Sequence, residues 1–172
     1  LTEEITKLDT YKQYLRDIGK IPSYQLEKCF SCGLPAVWLY MRSIGLEDVF
    51  FNMLKQAKDS SIMFKQLFYL LLLTNANNEY FPHVPEDFLN LQVPKEIQEA
   101  QIPMPEQEFQ LAFSFTKKQL KEVLEKIALP GEMVRLGNKQ RSVAIMANEN
   151  GTYAVYHAEN PRTLEYKSLD KC

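Results

Sequence analysis

Ser142-Val143-Ala144-Ile145-Met146-Ala147, then Asn148-Glu149-Asn150-Gly151, then Thr152-Tyr153-Ala154-Val155-Tyr156-His157, reads as a strand, a tight turn and a second strand. β-branched, aromatic and small apolar residues fill both arms, and the turn holds the Asn and Gly that tolerate a left-handed backbone. Met133 to Leu136 supplies a strand ahead of this hairpin, and Thr163 to Tyr166 a fourth behind it. The C-terminal part is therefore a small antiparallel sheet of three to four strands.

Upstream the period changes from two to that of a helix. Ile5, Leu8, Tyr11, Leu15 and Ile18 recur at steps of three and four and predict an amphipathic helix over residues 3–18, ended by Gly19. Pro22 and Ser23 open a connector. The helical pattern resumes at Leu34, with Pro35 suited to a first turn where its missing N–H costs nothing, and runs to about Ser43. Gly45 breaks it; a further helix follows from Glu47 to about Lys58, and Asp59-Ser60-Ser61 caps an apolar one ending near Asn75. Pro82, Pro85, Pro94, Pro103 and Pro105 forbid long helices and central strands, which leaves an irregular connector. Thr116 with Gln119 forms a capping box, and Leu120, Val123, Leu124 and Ile127 give one apolar stripe until Pro130-Gly131. Helices first and an antiparallel sheet last is the α+β class.

With 172 residues, 45% apolar and 12% aromatic, the chain has material for one ordinary core, so residues 1–172 read as a single domain. A net charge of −2 argues against nucleic acid, whose phosphates demand clustered Lys and Arg. The most apolar run, Leu67 to Leu73, falls far short of the roughly 20 residues of a membrane span. Three cysteines, Cys29, Cys32 and Cys172, make no disulfide framework, and with His83 and His157 scattered there is no second ligand pair for zinc. No metal and no cofactor is expected. The chain begins with Leu1 inside a helical pattern, as an excised piece of a larger protein with other domains would.

Two segments resemble the papain-fold cysteine proteases of bacterial secreted effectors, of the YopT-like kind. Their first motif is similar to Cys-x-Gly-Leu-Ser-x-x-Trp-Leu on a helix start. Gly33, Leu34, Trp38 and Leu39 match it, Pro35 stands at the usual Ser, and the nucleophile position falls on Ser31. The second is similar to His-Ala-Ile-Ala-Ile, a Gly-containing turn, an aromatic pair and Tyr-Asp-Pro-Asn. Ser142-Val143-Ala144-Ile145, Gly151, Tyr153, Tyr156 and Asn160 agree, while Arg141 replaces the base His and His157 the orienting Asp. The resemblance implies a papain-like fold, a helical lobe followed by the sheet, delivered by a bacterium into a host cell as part of a virulence effector.

The three replaced positions remove the chemistry. Thiol attack needs a thiolate and a neighbouring imidazole to carry the proton, and an arginine accepts no proton at any workable pH. Ser31 beside Arg141 is inert, so the expectation is a pseudo-enzyme whose old groove, with Trp38, Arg141 and Asn160, binds a host protein or peptide. Ser31 is otherwise a helix cap, Trp38 a core residue and Arg141 a solvated strand-end cation. One alternative makes Cys32 the nucleophile, its thiolate favoured by the helix dipole and His157 its base, giving an active protease or acyl transferase. Another makes Arg141 and the helix start a site for a nucleotide or other small anionic ligand.

Overall fold

A computed structural model describes residues 23–57, 59–74, 114–138, 141–160 and 162–169. The expected helix over residues 3–18 and the Pro82 to Pro105 connector lie outside them, as does His83. Four helices, α1 (Ser23–Ser43), α2 (Glu47–Gln56), α3 (Ser61–Thr74) and α4 (Lys117–Ile127), precede four strands, β1 (Met133–Gly137), β2 (Ser142–Ala147), β3 (Tyr153–His157) and β4 (Leu164–Tyr166). The class is α+β. The strands pair in chain order, each antiparallel to the next.

The pleat sorts the strand residues into two faces. Ala144, Ala154, Tyr156 and Ala158 join a large core with Leu34, Val37, Trp38 and Met41 of α1, Phe50 and Met53 of α2, and Phe64, Leu67, Phe68, Leu70 and Leu71 of α3. Ile145 and Val155 point the other way and meet Leu124 of α4 in a smaller cluster flanked by Leu120, Ile127, Val134, Leu136 and Val143. Among the described residues the sheet is thus a middle layer, with three helices on one face and one on the other. Alanines on the inner face let α1 approach the strands closely.

Local chemistry fixes the ends. The capping box is formed: the Gln119 N–H donates to the Thr116 hydroxyl and the Thr116 N–H donates to the Gln119 side chain. Between β2 and β3, Gly151 at φ 78° closes the turn, its N–H bonded to the Asn148 carbonyl at 3.0 Å. At the end of β1 a Cβ on Gly137 would stand 3.2 Å from the Cβ of Ser142.

One element departs from the sequence expectation. A single helix runs from Ser23 to Ser43 with Pro35 inside it, where the sequence predicts a connector at Pro22 and Ser23 and a helix start at Leu34. Pro35 has no N–H to give the Ser31 carbonyl one turn back, a defect that ordinarily ends or kinks a helix. Here the neighbouring carbonyl, that of Cys32, accepts a hydrogen bond from the buried Ser142 hydroxyl at 2.6 Å. This bond ties the first residue of β2 to α1 beside the break, at a carbonyl that also faces the Ala36 N–H one turn on. The carbonyl that Pro35 leaves without a helical donor is that of Ser31.

Candidate functional site

The Cys32–Ser142 bond places the middle of α1 against the first residue of β2, so the two motif segments do adjoin. Their side chains do not assemble a catalytic set. Ser31 and Cys32, both half-buried, lie inside α1 and not at its N-terminus, so neither caps that helix nor receives its positive end. An anion site built on a helix start beside Arg141 fails for the same reason.

Arg141 is 70% exposed and its guanidinium bonds Glu159 at 2.8 Å, while its N–H donates to the Asn138 side chain at 2.9 Å. His157 pairs across the ladder with Val143, and lies between Tyr156 and Ala158, which both face the helical layer. Its own side chain is therefore turned to the opposite face from α1, and Cys32 with His157 is not a thiol–imidazole pair. The Asn160 amide lies 2.7 Å from His157 Nε2 and donates to it when that nitrogen carries no proton. On the α1 side the cation near Cys32 is Arg135, whose guanidinium partial burial holds below its usual pKa.

Trp38 is fully buried, so it lines no groove. Its ring stacks on Tyr156 with centroids 5.6 Å apart, and the Arg42 guanidinium lies over it at 5.5 Å. Its indole N–H is shared between Glu47 Oε1 at 2.8 Å and the Thr163 hydroxyl at 2.9 Å. The Thr163 hydroxyl donates to the same carboxylate oxygen. Arg42 bonds Glu47 Oε2 at 2.6 Å, Glu165 at 3.0 Å and Asn148 at 3.3 Å. Sequence reasoning missed this polar cluster. The one local signal was the acidic residue in the first turn of α2, which fits a helix N-terminus without naming its partners.

Beside the cluster an open, polar depression of about 630 Å³ is lined by Arg42, Asn148, Glu149, Asn150, Thr152 and Glu165. Among the described residues no group of His, Cys, Asp and Glu is arranged to hold a metal ion, and no helix is long and apolar enough to cross a membrane. No family model, curated protein or solved structure matches this chain.

Proposed function

We propose that this chain is a catalytically inert, papain-like domain that works as a protein- or peptide-binding module. The pleat of the sheet carries the inert half. Ser142 meets α1, whereas Val143 and, opposite it, His157 belong to the other face. Arg141, bound to Glu159, cannot accept a proton in place of that imidazole.

The binding half is supported by the seam that remains where α1 meets β2. Arg141, Glu159 and Asn138 stand exposed around it. An exposed ion pair contributes only about 0–1 kcal/mol, so Arg141 exchanges Glu159 for a carboxylate of a partner at little cost. A host-cell setting for this partner, with the bacterial effector role, follows from the resemblance of the two motif segments.

Fluorogenic peptides should show no turnover above background; turnover that disappears in Cys32→Ala would overturn the inert assignment. Peptides selected for binding to the folded chain should lose affinity in Arg141→Glu and retain it in Lys118→Glu, a change on the exposed surface of α4. Equal affinity in both variants would remove the seam as the binding surface.

A further inference from the structure

The edge strand β4 is attached to the helical layer in an unusual way. Glu165 pairs with Ala154, whose side chain belongs to the inner core, so Glu165 and Thr163 are the residues that β4 and its approach turn toward the helices. Both are polar. The attachments described on that side are the Thr163 hydroxyl to Glu47, the Trp38 indole to Thr163 and Glu47, Arg42 to Glu165, and the Asn148 amide to Glu165 at 3.1 Å. Tyr166 and Leu169 pack with the outer cluster on the opposite face. Glu47 joins α1, α2 and the approach to β4 through a single carboxylate.

We propose that the segment from Thr163 through β4 is a strap held closed by the charge of Glu47, and that loss of this charge releases it and leaves β3 as the edge of the sheet. Glu47 Oε1 already accepts from Trp38 and Thr163, so an added proton settles on Oε2 and turns a donor toward the Arg42 guanidinium, which is itself donor-only. The charged group facing Glu47 is Arg42 from α1; Glu165 of β4 lies beyond Arg42, and the other partners are neutral. Burial is the largest single influence and pushes the Glu47 carboxyl upward. The bonds from Thr163, Trp38 and Arg42, with the Arg42 charge, outweigh it and hold the carboxyl below its usual range. A group lowered in the folded state contributes its stability above the ordinary carboxylate range and loses it as pH falls through the lowered value. Opening is thus an acid event. An open β3 edge presents unpaired N–H and C=O groups, the surface on which a further strand adds. This strap stands independently of the binding seam at Arg141.

Trp38 is the only tryptophan of the chain, so its emission reports the strap, and hydrogen exchange separates the β3–β4 ladder from β1–β2. In Glu47→Gln at neutral pH, those amides of β3 and β4 that donate across the β3–β4 ladder should exchange about tenfold faster or more, while the β2–β3 and β1–β2 ladders keep their protection. The wild-type chain should make the same change on acidification, with a red shift of Trp38 emission. A β3–β4 ladder as protected in Glu47→Gln as in wild type, or both ladders opening together at one pH, would overturn the strap. If Glu47→Gln does not fold, Thr163→Val keeps the charge and removes one bond. Its acid midpoint should rise, and an unmoved midpoint counts equally against the proposal.

Discussion

At the scale of single residues, Tyr156 is the most instructive. Its ring is fully buried, stacked on Trp38 and met edge-on by Phe50 at 5.3 Å and Phe51 at 5.8 Å. Among the described residues its hydroxyl has no hydrogen-bond partner, and burial holds the phenol well above its usual pKa. A buried hydroxyl without a partner is a desolvation cost, so Tyr156→Phe should be neutral or stabilising, within about 1 kcal/mol in urea denaturation. Ser142→Ala acts in the opposite direction. It removes the hydroxyl bond that ties β2 to the Cys32 carbonyl, and should cost about 0.5–1.5 kcal/mol in the same measurement. Neither effect was legible in the sequence. Trp38 read as core from its helix face and as a cleft wall from the resemblance, and its polar role stayed hidden because its indole partners lie 9 and 125 positions away and only the fold brings them together.

Elements were legible wherever the deciding chemistry is local. Thr116 and Gln119 sit three positions apart and form the capping box that their types and spacing predict. Thr116→Ala should cost about 1 kcal/mol and reduce helical circular dichroism without disturbing the sheet. The Asn148 to Gly151 turn set the hairpin register in the same way, and the ladder pairs Ala147 with Tyr153 across it. The helix boundary at Pro35 went wrong because the rule used there is also local. Proline suits a first turn, but α1 runs through it while packed against α3 and the sheet, and those neighbours lie far along the chain, beyond the reach of any window.

For the whole molecule, the order of helices and strands announced an α+β fold, while the division of labour between the two faces of the sheet did not follow from order alone. Among the described residues three helices bury the inner face, and the eleven residues of α4 cover the outer one with Leu124 as its buried contact. Leu124→Ala should therefore cost about 2–5 kcal/mol and loosen α4 and the outer cluster first, seen as loss of amide protection there while α1 and α3 stay protected. The unequal layers also give the β1–β2 turn an unexpected reach. Gly137 lies beside Ser142 at a separation that barely admits a methyl group, and Ser142 is the residue that bonds α1 at the Cys32 carbonyl. A methyl group at that corner would press Ser142 by a few tenths of an ångström, so a glycine at the end of one strand sets how closely the neighbouring strand can seat the hydroxyl that clasps the middle of α1.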